Sequence, residues 1–256
     1  MGRVYWNEQG KRFPRSFFGA TSTKFYLEEE QRLCNTGFEG LQSKKLLKLD
    51  VWSEAQNTEV LFWAARQGAQ CYAVDIAEST AFKARDRSRA LNVPIRIAVA
   101  DILDLPFPDE TFDCLYAMGT IEHTPHQDRV LSEIARVLAK GGTAIIGVPN
   151  KMDPFLFYIG SNAMQMLRLY PYGYERWYTN GQLSSRLQSH GLRVIHRDGI
   201  LFLPWFLRFL DLYFWLNLPW LSRLTGVLVE PFRKLSRSFR FFRKFGYLTI
   251  CIVQKS

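Results

Sequence analysis

The chain has 256 residues, of which 47% are hydrophobic and 22% charged. This composition excludes an intrinsically disordered protein and is sufficient for one large α/β domain, with or without a cap. The net charge is +9 at pH 7. This charge could simply form a solvated basic face, or it could indicate binding to nucleic acid, an anionic membrane surface or an acidic substrate.

The cysteines and the N-terminus indicate a reducing compartment. Cys34, Cys71, Cys114 and Cys251 show neither metal-ligand spacing nor a disulfide ladder, so no metal site is predicted. Residues 1–18 lack the apolar core of a signal peptide. We therefore expect a cytoplasmic location, with peripheral contact to the inner membrane face as a further expectation.

Residues 1–43 are predicted to form an N-terminal helical cap. The stretch TSTKFYLEEEQRL reads as a helix, with Ser22 or Thr23 as its N-cap.

A regular alternation of strands and helices begins at residue 44. Strands of this spacing, separated by helices, indicate βαβ units and a mostly parallel sheet. A further helix is predicted over 179–191, capped by Thr179. The predicted strands are 44–51, 69–76, 95–102, 111–119, 143–150, 192–200 and 246–256. The predicted helices between the first five strands are 57–68, 80–92 and 128–142.

Three carboxylates follow the first three strands at nearly equal intervals. Asp50, Asp75 and Asp101 are 25 and 26 residues apart, and each stands where a strand ends. Because ligands of such sheets bind at the carboxyl ends of the strands, we expect the three at one edge. A carboxylate after the second strand can accept both ribose hydroxyls, and one after the third can accept from a purine amine. Each aspartate alone could equally cap the helix after it.

Three stretches resemble class I S-adenosylmethionine (SAM)-dependent methyltransferases. AVDIAEST resembles their second-strand acidic motif, VADILDLPFPDETFDCLYAMGTIEH the run from the adenine-contacting aspartate into the fourth strand, and RVLAKGGTAIIGVPN the following helix, turn and strand. The resemblance implies SAM as cofactor and a Rossmann-like, doubly wound, mostly parallel seven-stranded sheet with an antiparallel terminal strand and, in this chain, an aromatic and basic helical insertion. The cofactor contacts that we predict are Asp50, Trp52, Glu54, Asp75, Ile76, Asp101, Ile102 and Met118.

The loop after the first strand departs from the family pattern. The run LDVWSEAQNT places Trp52, Glu54 and Gln56 where glycines are expected, and these residues cannot adopt a turn with positive φ without cost. Either Glu54 takes the cofactor's α-ammonium and Trp52 packs on the sulfonium, or the pocket is degenerate.

The candidate catalytic residues follow the fourth strand in GTIEHTPH. Methyl transfer from SAM depends mainly on positioning, but a general base assists when the acceptor is a hydroxyl. His123 is the first candidate for this base, with Glu122 beside it and His126 next. Alternatively, Glu122 and His123 only shape the loop or cap a helix that begins near His126.

The segment 200–221 is apolar but is not expected to span a membrane. Arg208 and Asp211 lie in its middle, and two prolines bracket about 14 residues, roughly 21 Å of helix against about 30 Å of hydrocarbon. Arg208, Asp211 and Trp215 fall at i, i+3 and i+7, so one face is more polar.

Eight basic and two acidic residues lie between Pro204 and Phe245. An apolar helix followed by cations suits an anionic lipid surface or an apolar lid. A cap helix packed on the protein's own sheet remains open, and nucleic acid is less favoured.

The function expected is SAM-dependent methyl transfer to a small-molecule or lipid-like acceptor at or near a membrane surface. Residues 44–256 would form the methyltransferase-like domain, with 151–178 and 201–245 on the substrate side. The alternatives are a non-catalytic binding or scaffold protein and an RNA methyltransferase.

Overall fold

One seven-stranded sheet organises the protein in the computed structural model, which describes residues 2–12, 16–167, 170 and 173–256. The strands are β1 (Lys45–Lys48), β2 (Gln70–Asp75), β3 (Arg96–Val99), β4 (Phe112–Met118), β5 (Leu138–Pro149), β6 (Leu192–Ile200) and β7 (Leu248–Lys255). They lie in the order β3-β2-β1-β4-β5-β7-β6, and β7 runs antiparallel to both of its neighbours while the other pairs are parallel. The predicted fold is confirmed.

Helices cover both faces of this sheet. The α-helices in the described ranges are α1 (Arg3–Arg12), α2 (Thr21–Gly37), α3 (Trp52–Gln56), α4 (Val60–Arg66), α5 (Glu78–Ala90), α6 (Gln127–Val137), α7 (Phe157–Met166), α8 (Asn180–Gln188), α9 (Trp205–Asn217), α10 (Ser222–Ser238) and α11 (Arg240–Arg243). One buried cluster joins the sheet to α2, α4, α5, α9 and α10, and a second joins its other face to α6 and α8. Short 3₁₀ helices span Ile121–His123 and Pro219–Leu221.

Helix N-caps were predicted from the sequence for two helices, α8 and α2. Thr179 caps α8 as predicted, accepting from the Gln182 amide while the Gln182 side chain accepts from the Thr179 amide. The predicted caps Ser22 and Thr23 are wrong, because α2 begins at Thr21 and has no side-chain cap. Both are buried in its first turn, where the Ser22 amide and the Thr23 hydroxyl make tertiary hydrogen bonds instead.

Two predicted helices differ from those observed. The stretch predicted as one helix over 57–68 contains only α4, and a separate turn of helix, α3, precedes it. The helix predicted over 128–142 ends at Val137, because Leu138 already pairs with Phe112 and opens β5. Gly141 therefore lies within β5, where its positive φ of 72° permits a bend.

All four cysteines are buried and free. Among the helices of the described ranges, none has both the length and the apolar character needed to cross a bilayer.

A buried lysine holds the carboxyl end of β1. Lys48 is 1% exposed, and its Nζ lies 3.0 Å from Glu54 Oε2 and 3.1 Å from Asp50 Oδ1. Glu30 of α2 is the third carboxylate of this group, and it also accepts a hydrogen bond from the Tyr116 hydroxyl at 2.8 Å. Burial opposes the charge of Lys48, but the three carboxylates outweigh it and raise the pKa of this lysine. One ammonium thus joins β1, α2 and α3, and through Glu30 also reaches β4.

We expect Lys48→Met to destabilise the fold by about 3–5 kcal/mol, because it leaves buried carboxylates without a cation. Burial already raises the pKa of Glu30 to about 7 and that of Glu54 above its usual value. Without the ammonium both pKa values rise further, so the folded state takes up protons that the unfolded state does not bind. The loss of stability should therefore be smaller at pH 5.5 than at pH 8, as measured by urea denaturation at both values.

Lys45→Met is the matched control, since Lys45 lies on the same strand and is exposed. The double variant Lys48→Met/Glu54→Gln should recover part of the lost stability. Equal effects of the two lysine substitutions would contradict the role assigned to Lys48.

Candidate active site

The three strand-end aspartates lie along one edge of the sheet, as predicted. Parallel pairing places the ends of β1, β2 and β3 side by side. Asp75 bridges two of them, because its Oδ2 accepts from the Val51 amide at 3.0 Å. Asp101 is exposed and accepts from the Leu103 amide at 3.0 Å.

Helix capping does not explain Asp75 or Asp101. The N-cap position of α5 is Ala77, whose amide donates to Asp75 Oδ1 at 2.8 Å. After Asp101 the chain makes turns and enters no α-helix before β4. Asp75 is 8% exposed, and burial raises its pKa to about 6 although the two backbone amides favour the ionised form. It is a carboxylate held in one orientation at the mouth of the site.

The loop after β1 is a turn of right-handed helix instead of a glycine turn. Residues 50–58 contain no positive φ, and α3 occupies this stretch. The role predicted for Glu54, binding the cofactor's ammonium, is not supported by the geometry. Glu54 is fully buried, pairs with Lys48 through Oε2 and accepts from the Leu61 amide through Oε1. Both oxygens of Glu54 are therefore occupied within the protein, and neither is accessible to a ligand.

Asp50 is the carboxylate of this loop that remains accessible. Its side chain is 18% exposed, and its Oδ2 accepts from the Thr120 hydroxyl at 2.6 Å. Its Oδ1 accepts from Lys48 and from the Trp52 amide. Asp50 and Thr120 follow β1 and β4, the neighbouring strands at which the strand order reverses, and this is where doubly wound sheets bind ligands.

The apolar residues predicted to contact the cofactor divide into two groups. Ile76 and Ile102 are half-buried beside Asp75 and Asp101, as is Trp52 at the start of α3. Met118 is only 7% exposed and belongs to the hydrophobic core. Its sulfur occupies the space where a side chain at Gly147 would lie, so Met118 packs within the core behind the site.

Glu122 and His123 lie in the 3₁₀ helix after β4. The imidazole Nδ1 of His123 is 3.1 Å from the Tyr174 carbonyl oxygen. A carbonyl only accepts hydrogen bonds, so Nδ1 carries the proton and Nε2 keeps its lone pair. Burial lowers the pKa of His123 to about 4, which keeps it neutral near pH 7. Nε2 of this neutral imidazole can accept a proton, but a pKa of about 4 makes it a weaker base than an ordinary histidine.

Neither Glu122 nor His123 caps α6, because the N-cap position of that helix is His126. His126 occupies the N-cap position of α6, but its side chain makes no cap hydrogen bond and is exposed. Glu122 is 1% exposed, and burial raises its pKa well above the usual range, with Glu175 adding to the effect.

Glu175 is the residue that sequence reasoning missed. It reaches Glu122 and His123 from the irregular segment before α8, where the Arg176 amide donates to the Glu122 carbonyl at 3.2 Å. Glu175 lies in an irregular aromatic segment, at neither a strand end nor a regular helical spacing. The sequence pattern therefore could not predict that it lies beside Glu122 and His123.

Comparisons with known proteins agree with this fold. Residues 55–146 match the methyltransferase domain family. The chain is 28% identical over 145 residues to a ubiquinone biosynthesis O-methyltransferase of Xanthomonas axonopodis pv. citri, covering 55% of this chain and 61% of that protein. It is 36% identical over 75 residues to a phosphatidylethanolamine N-methyltransferase of Cereibacter sphaeroides, covering 28% and 37% of the two chains.

A solved structure extends the likeness to the whole fold. The magnesium protoporphyrin IX methyltransferase of Synechocystis PCC 6803, with bound SAH, matches with a TM-score of 0.63 at 12% identity, covering 99% of this chain and 98% of that one. Four other curated methyltransferases are matched over 24% to 31% of their length. The chain therefore carries a methyltransferase domain at residues 55–146, and its fold is similar to that of solved SAM-dependent methyltransferases.

Proposed function

We propose that the chain transfers the methyl group of SAM to a small-molecule, lipid-like acceptor at or near a membrane surface. The observation that carries the proposal is the arrangement of four side chains at one edge of the sheet. Asp50, Asp75 and Asp101 follow three adjacent strands there. His123, whose Nε2 keeps its lone pair, follows the fourth strand.

The residues along this edge fit an adenosine-containing cofactor. The carboxylate of Asp75, oriented by two backbone amides, has lone pairs left to accept ribose hydroxyls. Asp101 is exposed and would accept from the adenine amine, with Ile76 and Ile102 beside the ring. SAM would supply the electrophilic methyl group, and these residues would bind and orient it.

The methionine end of the cofactor would be held by side chains instead of a glycine backbone. Asp50 takes the place first considered for Glu54, because it is the accessible carboxylate of the loop. Trp52 would pack beside the cationic sulfonium.

His123 would accept the proton of an acceptor hydroxyl at Nε2. Its Nδ1 proton is fixed on the Tyr174 carbonyl, which orients the ring. Trp6 of α1 packs edge-on against the same imidazole, with ring centroids 5.0 Å apart. The N-terminal segment thereby covers the site, and this supports its assignment as a cap over residues 1–43.

Helix α9 supports a lipid-like environment because its polar face is turned inward. Asp211 is fully buried and accepts from the Ser22 amide at 2.7 Å and the Thr225 hydroxyl at 2.6 Å. Arg208 lies over the Tyr26 ring, and the Trp215 indole donates to the Ser16 carbonyl. The face predicted to be more polar is therefore the one that packs on the protein.

The opposite side of α9 presents aromatic side chains to solvent. Phe206 is 58% exposed, Tyr213 56% and Trp220, in the following 3₁₀ helix, 74%. Leu224, Val227 and Leu228 of α10 are exposed as well. A group of exposed apolar side chains of this kind is typical of a protein-protein or membrane contact. We refer to these residues of 206–228 as the outer apolar surface.

The basic residues contribute less than their number suggests. Arg233 and Arg237 pair with Glu28, and Arg243 pairs with Asp198. Exposed cations such as Arg223 and Lys234 lie on α10 beside the apolar residues. Membrane contact would thus rest mainly on apolar insertion, with a smaller electrostatic part. The names of the ubiquinone and phosphatidylethanolamine relatives add support for a lipid-like acceptor.

The acceptor side is assigned to residues 151–178 and 201–245. The first segment brings Tyr174 and Glu175 to His123, and Phe157 of the first stacks on Trp205 of the second at 5.5 Å between ring centroids. The two segments thus form one aromatic cover beside the site.

We expect Asp75→Ala to weaken SAM binding roughly a hundredfold, since it removes the acceptor of two hydroxyl hydrogen bonds. Asp101→Ala should weaken binding less, because it removes one contact at an exposed position. Asp104→Ala is the control, as its side chain is 90% exposed and lies three residues further on. Isothermal titration with SAM and S-adenosylhomocysteine measures these affinities. No binding by the unaltered chain at millimolar ligand would contradict the enzyme and favour a scaffold.

SAM affinity should also depend on pH through Asp75. Because its pKa is about 6, the carboxyl is mostly ionised at pH 7.5 and mostly protonated at pH 5.5, where it accepts less well. Affinity should fall about fourfold between these values, and the dependence should disappear in Asp75→Asn. An affinity that is unchanged at pH 5.5 in the unaltered chain would exclude Asp75 as the ribose acceptor.

Membrane contact is testable by co-sedimentation with vesicles containing phosphatidylglycerol. Replacing Phe206, Tyr213 and Trp220 by serine should reduce partitioning roughly a hundredfold, at about 1 kcal/mol for each partly inserted side chain. Phe82→Ser is the matched control, since Phe82 is 61% exposed on α5, outside the outer apolar surface. If the unaltered chain stays in solution with vesicles but shifts RNA in a gel, the acceptor is RNA and the membrane proposal fails.

A further inference from the structure

Three side chains beside the site form a compact group of metal-ligand type. The donor atoms of Glu122, His123 and Glu175 all lie within 4.8 Å of one another. Two of these residues come from the 3₁₀ helix after β4, and the third comes from the segment before α8, 52 positions further along the chain. The group is assembled by the fold and has no counterpart in local sequence spacing.

The two carboxylates are buried without a compensating charge. Glu122 is 1% exposed and Glu175 6%. Among the residues that the structure describes, the Oε2 atom of each has no hydrogen-bond partner, and neither carboxylate pairs with a lysine or arginine. Buried carboxylates that face each other are costly unless a cation lies between them. Asp50 and Glu54, by contrast, are neutralised by Lys48.

His123 is oriented as metal-binding histidines are. Its Nδ1 donates to the Tyr174 carbonyl at 3.1 Å, which leaves the Nε2 lone pair toward Glu122, whose Oε1 is 3.8 Å away. Such a second hydrogen bond fixes the tautomer and the ring orientation of a ligating imidazole.

We propose that Glu122, His123 and Glu175 bind one divalent transition-metal ion. Two carboxylate oxygens and one imidazole nitrogen suit Mn²⁺, Fe²⁺ or Zn²⁺ better than Mg²⁺ or Ca²⁺, which prefer oxygen ligands alone. Ligands of one ion at roughly 2.1 Å lie within about 4.2 Å of each other, so small side-chain rotations complete the site. Three protein ligands leave positions open for a further oxygen ligand.

The open positions give the ion a role that rests on the proposed methyl transfer. A hydroxyl of the acceptor bound to the ion loses its proton more readily. The oxygen then forms the new bond to the methyl carbon as the carbon–sulfur bond breaks, the electron pair stays on sulfur, and the proton leaves to solvent. In the metal-loaded protein, Nε2 of His123 would bind the ion, and the ion would take over the activation of the hydroxyl that is proposed above for the metal-free imidazole. The acceptor class is thus an oxygen nucleophile, a phenol or an enol.

Metal binding is tested without activity. The full chain, freed of metals with a chelator, is titrated with Mn²⁺, and free Mn²⁺ is followed by electron paramagnetic resonance. We expect one ion per chain, a higher Tm with Mn²⁺, and at least tenfold weaker binding in Glu175→Gln and in Glu122→Gln. Glu110→Gln, at an acid that is 44% exposed elsewhere, should bind as the unaltered chain does.

The contrary result is equally defined. If the unaltered chain binds no Mn²⁺ or Zn²⁺ and Glu175→Gln is more stable than it, the two acids share a proton and the metal site is refuted. SAM titration of the same samples separates this outcome from a failure of the proposed function. Metal binding without SAM binding would uphold the site and reject the methyl transfer.

Discussion

The ion pairs of one buried ammonium, that of Lys48, support the whole cofactor edge. Glu54 fixes the turn after β1, Asp50 continues the strand end toward β4 through Thr120, and Glu30 brings in α2. A charge in this position is costly unless its partners are complete. The arrangement therefore holds the loop in one conformation without a glycine in residues 50–58.

Residues at strand ends were predictable because they follow from periodicity alone. Asp50, Asp75 and Asp101 were placed correctly from the strand pattern, since parallel strands bring their carboxyl ends to one edge. The role of Glu54 could not be read this way, because its partner Lys48 appeared to belong to an ordinary apolar strand. Glu175 was out of reach for a different reason: its position depends on how an irregular aromatic segment folds back onto Glu122.

The periodicity of α9 predicted a polar face but not the direction in which that face points. A polar stripe through Arg208 and Asp211 was visible in the sequence, but the direction in which it faces depends on the partner. The partner is α2, whose Ser22 amide donates to Asp211 and whose Glu28 pairs with Arg233 of α10. The outer apolar surface and the ion network of Lys48, which includes Glu30, are therefore both built on α2.

The glycine-free turn at α3 has a consequence for how such chains are detected. The matched methyltransferase domain begins at residue 55, after Asp50, Trp52 and Glu54. A motif search keyed to a glycine-rich loop would pass over this chain, although residues 55–146 match the methyltransferase domain family. The spacing of Asp50, Asp75 and Asp101, with Lys48 two residues before the first of them, is the pattern by which other chains with such a turn could be sought.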